Sequence, residues 1–329
     1  MRALVTGGAG FIGSNLVEAL VERGHTVRVL DNFSTGHRHN LAAVQGDIEL
    51  IEGDLRSYER VHHAVRGCEV VFHQGALPSV PRSVADPLTT TETNVGGTLN
   101  VLLNARDEGV RRLIYASSSS IYGDGPGFPR REDAAPVPLA PYPVSKLAGE
   151  HYCRVFSSVY GLATVSLRYF NVFGRHQDPA SQYSAVIPRF ITEMRDGRQP
   201  VVHGNGEQSR DFTHIDDVVA ANLLAMDAPD AWGGVFNIAC GEDHSINELV
   251  AILNRLLDRD LEPIHTARRP GDVERSWADI SRAEQVLGYV PEVDFEEGVR
   301  RAVEAYEQAE NRFATRSADA GAAGRHGGS

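Results

Sequence analysis

The sequence predicts an α/β protein with a doubly wound parallel sheet, followed by a second, smaller mixed α/β domain. Two observations predict the sheet. Short apolar runs alternate with longer segments of helical periodicity, and a glycine-rich turn joins the first run to the first such segment. A third observation predicts the second domain, because helices separated by short strands begin after Asp178. We expect domains over 1–170 and 171–311, with a disordered tail over 312–329 that lacks periodicity.

The first 31 residues carry the pattern of a dinucleotide-binding unit. An apolar strand, Arg2–Thr6, precedes the glycines and a helix that Gly24 ends, and a second strand, Val27–Leu30, ends on Asp31. Glycines let a backbone approach a pyrophosphate closely, and the helix N-terminus offers that anion free N–H groups and a positive dipole end. The carboxylate of Asp31 can accept both ribose hydroxyls and would repel a 2′-phosphate. The unit therefore favours NAD over NADP.

The glycines of this unit fit two motifs. Gly8, Gly10 and Gly13 match GxGxxG, whereas Gly7, Gly10 and Gly13 match GxxGxxG. A tight turn between a strand and a helix, with no ligand, would also use glycines. The strand, the helix and the acidic residue stand at the expected separation, so the sequence favours nucleotide binding.

The next two strands end in polar loops that suit the adenosine side of a cofactor. After Asp31 come Asn32, Phe33, Ser34, Thr35 and Gly36. The third strand, Ile48–Glu52, is followed by Asp54 and Leu55. Asp54 can hydrogen-bond the adenine amino group, or it can cap the helix that follows; both interpretations stay open.

Two further strands complete the predicted sheet. Val70–His73 leads into Gln74, Gly75 and Ala76, where small residues permit backbone contact with a cofactor. A helix is predicted over 94–108, and the fifth strand is Leu113–Ala116.

A run of serines follows the fifth strand, and a tyrosine–lysine pair follows the serines. The run is Ser117, Ser118, Ser119 and Ser120. Tyr142 and Lys146 lie four residues apart, at the start of a helix predicted over 142–160, so they can share one helix face or its N-terminal edge. A free tyrosine has a pKa of about 10. A neighbouring ammonium and an oxidised nicotinamide would both stabilise its phenolate, which makes Tyr142 a candidate general base near neutral pH.

Composition excludes several classes of function. The net charge of −12 over 329 residues argues against nucleic acid or an anionic membrane as partner. Cys68, Cys153 and Cys240 are odd in number and lack metal-ligand spacing, which predicts a reduced cytoplasmic protein without disulfides or a metal site. The first strand begins at Arg2, so we expect no signal peptide, and no apolar run reaches membrane length.

These motifs resemble the extended short-chain dehydrogenase/reductase family, and within it the nucleotide-sugar 4-epimerases. Further matches are Ser79–Ser83, Leu167–Gly174, Ser209–His214 and Arg269–Asp272, and the resemblance covers residues 1 to about 310. It is greatest to bacterial UDP-N-acetylglucosamine and UDP-glucose 4-epimerases. It implies a Rossmann fold for the first domain, to which 210–230 would return.

The resemblance also implies roles for individual residues. NAD would be held by Gly7, Gly10, Phe11, Ile12, Gly13, Asp31, Asn32, Ser34, Thr35, Gly36, Asp54, Leu55, Gln74, Ala76, Asn94, Ser117, Tyr142, Lys146 and Tyr169. Tyr142 would be the base, with Lys146, Ser118, Ser119 and Ser120 completing the catalytic group. The UDP-sugar would contact Ser79, Ser118, Tyr142, Asn171, Ala185, Val186, Val202, His203, Arg210, Arg269, Asp272 and Ser276. A diphosphate in an acidic protein needs such arginines as charge-assisted donors.

The implied reaction inverts C4 of a UDP-hexose through a 4-keto sugar, with NAD retained. Family dehydratases typically carry Thr-Asp-Glu where this chain has Ser118 to Ser120, and decarboxylases typically place a Glu there, so the serines favour epimerisation. A non-catalytic NAD-sensing protein is a distant alternative, which Tyr142 and Lys146 oppose. The resemblance further implies a homodimer in which the helices over 94–108 and 142–160 form a four-helix bundle.

The identity of the sugar is the least determined feature. Ser276 stands where epimerases restricted to the non-acetylated sugar carry a tyrosine, and Gln177 and Ala185 match the acetamido-accepting group. Pro78 departs from that group and is similar to some UDP-glucuronate 4-epimerases. In that case Arg82 or Arg175 would meet the C6 carboxylate.

Overall fold

The computed structural model describes residues 1–125, 127–179, 185–268 and 274–308. The strands are β1 (Arg2–Thr6), β2 (Thr26–Asp31), β3 (Ile48–Glu52), β4 (Val70–His73), β5 (Arg112–Ser118), β6 (Thr164–Tyr169), β7 (Val201–His203), β8 (Ser209–Arg210), β9 (Val235–Ile238), β10 (His244–Ser245) and β11 (Ile264–Thr266). The helices are α1 (Phe11–Glu22), α2 (Tyr58–Val65), α3 (Val80–Ala85), α4 (Pro87–Thr91), α5 (Gly97–Asp107), α6 (Pro141–Tyr160), α7 (Val186–Arg195), α8 (Ile215–Asp227), α9 (Ile246–Leu256), α10 (Ser281–Leu287) and α11 (295–308).

Seven parallel strands form the central sheet, in the order β3-β2-β1-β4-β5-β6-β9. Helices α1 and α8 pack on one face, and α2, α5 and α6 pack on the other. Both faces are therefore buried, which explains the nearly continuous apolar runs in β1, β4 and β5. The predicted doubly wound sheet is confirmed.

The strand order reverses beside β1, because β2 extends the sheet on one side and β4 on the other. In open α/β sheets, ligands bind at such a switch point, outside the carboxyl ends of the strands. The glycine turn follows β1 at this position. The topology alone thus points to this edge of the sheet as the place for a nucleotide.

A smaller unit with a core of its own is formed in the second half of the chain. Helices α7, α9 and α11 surround an apolar cluster that includes Phe173, Phe190, Phe212 and Phe295. Two small sheets accompany it, the antiparallel pair β8–β10 and the parallel pair β7–β11. This arrangement agrees with the mixed α/β character expected after residue 171.

The chain returns to the central sheet over a longer stretch than the sequence suggests. Helix α8 packs on α1, and β9 pairs with β6, with Ser166 opposite Val235. The sequence pattern assigns Val235–Ile238 to the smaller domain, and this assignment is wrong. A four-residue strand carries no signal of which sheet it joins, since register and partner are set by tertiary packing.

Helix α6 carries the predicted tyrosine and lysine, and its two ends are well specified. Pro141 occupies the first helical position, where a missing N–H costs nothing. Gly161 ends the helix in the left-handed conformation at φ +74°. The N-terminal end of α6 lies against the carboxyl end of β5, where the serine run begins.

Candidate active site

A cavity of about 560 Å³ opens at the carboxyl ends of the central strands. Eighteen of the predicted site residues line it: Gly7, Gly10, Phe11, Ile12, Gly13, Asp31, Asn32, Ser34, Thr35, Leu55, Gln74, Ala76, Ser79, Ser117, Tyr142, Lys146, Tyr169 and Ala185. The cavity runs from the glycine turn at one end to the start of α6 at the other. The structure thus brings together residues from segments that are distant in sequence.

The backbone of the glycine turn packs so closely against its neighbours that two positions exclude any side chain. Gly7 has φ +66°, and a Cβ there would lie 2.6 Å from the Cα of Gly75. A Cβ on Gly13 would lie 2.1 Å from the carbonyl oxygen of Gly7. Gly8 instead packs on the side chain of Val29 and does not line the cavity. The GxxGxxG register is therefore the one that faces the cavity.

Asp31 closes the end of β2 beside this turn. Its Oδ2 accepts a hydrogen bond from the Ala9 N–H at 2.9 Å, and its Oδ1 accepts one from the Phe33 N–H at 2.8 Å. Burial raises the pKa of Asp31, and these N–H donors offset part of that rise. Each oxygen keeps a lone pair that can accept a ribose hydroxyl. The turn without side chains and this oriented carboxylate fit a dinucleotide.

Asp54 follows β3 and is held by two neighbours. It accepts hydrogen bonds from Arg56 Nη2 at 2.8 Å and from Asn32 Nδ2 at 3.0 Å, and the bonds from Arg56 lower its pKa to about 2. The cap of α2 is Ser57, so the interpretation of Asp54 as a helix cap is wrong. Asp54 does not line the cavity, but Asn32 does.

A buried network on the cavity floor includes a residue that the sequence does not reveal. Tyr169 and Gln74 line the cavity, and both bond Asn222 of α8, with distances of 2.9 Å from Asn222 Nδ2 to the Tyr169 hydroxyl and 3.0 Å from Gln74 Nε2 to Asn222 Oδ1. Burial raises the pKa of Tyr169 to about 12, so its hydroxyl stays protonated. An asparagine inside the apolar helix α8 is the signal that could have indicated this contact.

Tyr142 and Lys146 of α6 both form hydrogen bonds with residues of β5. The Lys146 ammonium donates to the Ala116 carbonyl at 2.8 Å, and the Tyr142 hydroxyl is hydrogen-bonded to Ser118. Ser118 also lies 2.8 Å, Oγ to Oγ, from Ser120, and it caps the short 3₁₀ turn that begins at Ser119. Ser118, Ser119 and Ser120 do not line the cavity themselves, and Ser118 reaches it through Tyr142.

The Lys146 ammonium does not lower the pKa of Tyr142, contrary to what the spacing of the two residues predicts. Burial raises it above the ordinary tyrosine value, and the hydrogen bond with Ser118 offsets only part of the rise. Burial also lowers the pKa of Lys146 to about 8. Because the ammonium is directed at Ala116, it does not stabilise the phenolate directly. The protein alone therefore keeps Tyr142 protonated.

Two residues that were predicted to bind the cofactor lie behind the cavity wall and contact residues of that wall. Asn94 is buried and accepts a bond from the Leu77 N–H at 2.7 Å, while its amide donates to Ser145 at 3.0 Å. A Cβ on Gly36 would lie 2.7 Å from the Ala9 carbonyl carbon, so Gly36 packs on the glycine turn. Neither residue lines the cavity.

Most predicted sugar-side residues lie away from the cavity. Ser79 and Ala185 line it, whereas Asn171, Val186, Val202, His203, Arg210 and Ser276 do not. Arg269 and Asp272 lie outside the described residues. Ser276 is half-buried, and its backbone bonds those of Ser209 and Asp211 at 3.2 and 2.7 Å.

The two arginines considered for a carboxylate behave differently. Arg175 forms an ion pair with the buried Glu18 of α1, so it is already engaged. Arg82 lines the cavity next to Pro78 and Ser79. Of the two arginines, Arg82 is therefore the one that we retain as a candidate to bind a substrate carboxylate.

Sequence reasoning missed other cavity residues because their signals are weak. His37 and Asp178 lie 3.4 Å apart, from Nε2 to Oδ2, and both line the cavity, as do Leu77 and Thr93. His37, Leu77 and Asp178 come from loops, and Thr93 comes from the helical turn Glu92–Gly96, and none of them belongs to a motif. Within the described ranges, no helix is long and apolar enough to cross a bilayer, and no His, Cys, Asp or Glu cluster could hold a metal ion.

Comparison with known proteins places these features in context. The chain matches the model of the NAD dependent epimerase/dehydratase family over residues 3–239. It is 38% identical to a putative UDP-glucose 4-epimerase of Methanocaldococcus jannaschii, over 91% of this chain and 96% of that protein. Its fold matches a UDP-N-acetylglucosamine 4-epimerase from Methanobrevibacter ruminantium in complex with UDP-N-acetylmuramic acid, with 37% identity, a TM-score of 0.90, and coverage of 94% and 98%. It also matches the Thermus thermophilus UDP-glucose 4-epimerase in complex with NAD, with 38% identity, a TM-score of 0.84, and coverage of 93% and 99%.

Proposed function

We propose that this chain, which belongs to the NAD-dependent epimerase/dehydratase family, is a UDP-sugar 4-epimerase that inverts C4 of a UDP-hexose through a 4-keto sugar. The observation that carries the proposal is the contact of the Tyr142 hydroxyl with Ser118 at the cavity wall, one helical turn from the buried Lys146. A phenol held in this way can move a proton to and from a sugar hydroxyl.

NAD would lie along the cavity from the glycine turn to α6. Gly7, Gly10 and Gly13 would admit the pyrophosphate at the N-terminus of α1, and Asp31 would accept the ribose hydroxyls. When bound, NAD supplies the hydride acceptor and a positive charge beside the phenol. Tyr169 would face the nicotinamide end, where Asn222 and Gln74 fix its hydroxyl.

Tyr142 would take the proton of the sugar 4-hydroxyl, and Ser118 would hold the same oxygen. Burial raises the pKa of Tyr142, and a positive charge bound in the cavity would lower it again. This couples proton removal to the presence of the cofactor. Ser120, at 2.8 Å from Ser118, would orient the Ser118 hydroxyl.

The serine run also argues against two neighbouring reactions. Dehydration and decarboxylation each need an additional acid or base near the sugar. Ser118, Ser119 and Ser120 provide no carboxyl group at those positions. Epimerisation needs none, because the same tyrosine can return the proton it removed.

We assign UDP-N-acetylglucosamine/UDP-N-acetylgalactosamine, UDP-glucose/UDP-galactose, or both pairs, as substrates. Asn171, Val186, Val202, His203, Arg210, Arg269 and Asp272 would hold the UDP, and Ser276 and Ala185 would leave room for a 2-acetamido group. Ser276 supports this because its small side chain lies on a segment that is fixed through the backbone to Ser209 and Asp211.

UDP-glucuronate is the second candidate substrate, because Arg82 lines the cavity. No acidic side chain pairs with Arg82 in the part of the chain that the structure describes. A guanidinium in such a place can bind a C6 carboxylate bidentately. A non-catalytic NAD sensor is the distant alternative.

One assay separates these possibilities. Purified protein is incubated with UDP-glucose, UDP-N-acetylglucosamine and UDP-glucuronate in parallel, and the 4-epimers are measured by NMR. Conversion of either neutral sugar supports the proposal. Conversion of UDP-glucuronate alone, abolished in an Arg82→Gln variant, establishes the second candidate. Bound NAD without any conversion would favour the sensor.

We further propose a homodimer formed through α5 and α6. The outer face of α6 exposes Val144, Val155 and Val159, with exposed fractions of 52%, 44% and 66%. These positions recur at helical spacing, so they form one apolar stripe that a second copy would cover. Light scattering at micromolar concentration should give twice the chain mass, and a monomer would contradict the proposal.

The free cysteines agree with a cytoplasmic location.

A further inference from the structure

The face of α6 that presents Tyr142 and Lys146 carries a third polar side chain at the same spacing. Glu150 follows Lys146 by four residues, so the three side chains lie on one face. Glu150 is buried and accepts a hydrogen bond from the Ser117 hydroxyl. Three consecutive residues of β5 therefore each hold one turn of α6: Ser118 holds Tyr142, Ala116 holds Lys146, and Ser117 holds Glu150.

Arg168 of β6 clamps Glu150 from the neighbouring strand. Its Nε donates to Glu150 Oε1 at 2.9 Å, and its Nη2 donates to Oε2 at 2.8 Å. The sheet register places Arg168 directly opposite Ser117. The remaining nitrogen, Nη1, donates to the Tyr122 hydroxyl at 2.8 Å. Both charges are thus paired and hydrogen-bonded in a buried position.

We propose that Glu150, held by Arg168, is a positioning residue that fixes the rotation of α6 against β5, so that the Tyr142 hydroxyl and the Lys146 ammonium stay at the cavity wall. Buried ion pairs seldom increase net stability over apolar residues of similar volume. The placement of this pair one turn from Lys146, and in contact with the strand that also holds Tyr142, instead suits a role in orientation. The effect on turnover rests on the proposed epimerase function, whereas the effect on Lys146 does not.

The pair also sets the electrostatic surroundings of Lys146. His73 of β4 lies near Lys146. Burial lowers the pKa of His73 to about 3, so its ring is neutral. The ring of Tyr115 lies 5.2 Å from the ammonium. On α6 itself, burial raises the pKa of Cys153 to about 12, which keeps it neutral. Glu150, the carboxylate paired with Arg168, therefore supports the buried ammonium.

The chain offers a direct probe, because Lys146 is its one lysine among 329 residues. Lysine labelled with ¹³C at Cε gives a single resonance, whose titration reports the pKa of Lys146 in the intact holoenzyme. In Glu150→Gln we expect this titration to move at least half a pH unit lower. We also expect kcat to fall at least tenfold, with KM for the UDP-sugar within threefold and the bound NAD retained.

A matched control separates positioning from stability. Glu49→Gln removes the half-exposed carboxylate that pairs with another buried arginine, Arg28, whose Nε donates to Glu49 at 2.8 Å at the β2–β3 end of the sheet. We expect the control to lower Tm without changing kcat or the Lys146 titration. An equal fall of kcat in the control would overturn the proposal, as would an unchanged kcat and titration in Glu150→Gln.

A second variant keeps the test valid if Glu150→Gln does not fold. Glu150→Leu combined with Arg168→Met removes both charges, a change that buried pairs often tolerate. We expect this double variant to fold and still to lose at least tenfold in kcat, and wild-type kcat in it would refute positioning. If the wild type turns over no UDP-hexose, the proposed function fails, while the lysine resonance still decides the role of Glu150.

Discussion

The two ends of the cavity are built differently. At the nucleotide end, the glycine turn and the first strands meet with backbone contacts so close that Gly7 and Gly13 tolerate no Cβ, and Asp31 is fixed by two N–H donors. At the other end, where we propose that the sugar binds, the lining comes from Pro78, Ser79, Arg82 and Ala185, which belong to loops and helix starts. The difference agrees with our proposal that the protein retains its cofactor and lets a sugar turn between two orientations.

The largest predicted effect lies at the junction of the two ends. Tyr142→Phe removes only the hydroxyl that would accept the proton, and loss of a general base typically costs roughly 10²–10⁴-fold in rate. We expect turnover of the UDP-sugar to fall by that factor while NAD remains bound, because the glycine turn and Asp31 are untouched. Activity within threefold of wild type, measured on the same holoprotein, would show that Tyr142 is not the base.

The second prediction concerns the sugar end alone. Ser276→Tyr adds a phenol ring where we place the 2-acetamido group, and overpacking typically costs roughly 1–3 kcal/mol. A loss of about 2.7 kcal/mol corresponds to about a hundredfold in kcat/KM. We expect the ratio of kcat/KM for UDP-N-acetylglucosamine to that for UDP-glucose to fall by this factor, with NAD content unchanged.

The ratio serves as its own control, because damage to the fold would lower both values together. An unchanged ratio would mean that Ser276 does not contact the C2 substituent. Absence of wild-type activity on UDP-N-acetylglucosamine would shift attention to UDP-glucuronate and Arg82.

The smallest predicted effect lies at the nucleotide end. The Arg56 hydrogen bonds lower the pKa of Asp54 to about 2, below the ordinary value near 3.9. A lowered carboxyl pKa stabilises the fold above the unfolded-state pKa, and this contribution is lost as pH falls from about 4 to 2. The pair is partly exposed, so screening holds the stabilisation to roughly 1 kcal/mol or less.

We expect Asp54→Asn to lower the free energy of unfolding by a constant small amount from pH 8 to about 5, and by a shrinking amount below pH 4. Denaturant titrations across this range measure it. A difference in the free energy of unfolding that grows as the pH falls would contradict the lowered pKa of Asp54. A change in the ratio of kcat/KM for the two UDP-sugars would show that the two ends of the cavity are not independent.

Local patterns predicted the elements around the glycine turn well, because their requirements lie within single segments. The strand, the glycines and Asp31 occur within 31 residues, and each has a steric or electrostatic reason to be where it is. By contrast, β6 was not predicted as a strand, since Ser166 and the buried Arg168 interrupt the apolar run that marked β1, β4 and β5. Asn222 acts on the site from another element, α8, and only tertiary packing shows which partners it meets.

The pKa of Tyr142 illustrates the same limit. Helical spacing placed Lys146 near Tyr142, but it could not show that the ammonium is directed at the Ala116 carbonyl. Burial therefore dominates, and the pKa of Tyr142 rises instead of falling. Spacing fixes which residues share a face, whereas charge effects depend on where each side-chain end lies.

The most direct test of the central claim follows a hydrogen isotope through the reaction. UDP-glucose and UDP-N-acetylglucosamine carrying deuterium at C4 are each incubated in H₂O with the purified holoprotein, without added NAD, and the 4-epimers are analysed by NMR. If the hydrogen removed from C4 is held on a retained cofactor and returned to the opposite face, the product keeps its deuterium at C4. Loss of the label to water would contradict this account, and so would a reaction that requires added NAD after the protein has been reconstituted.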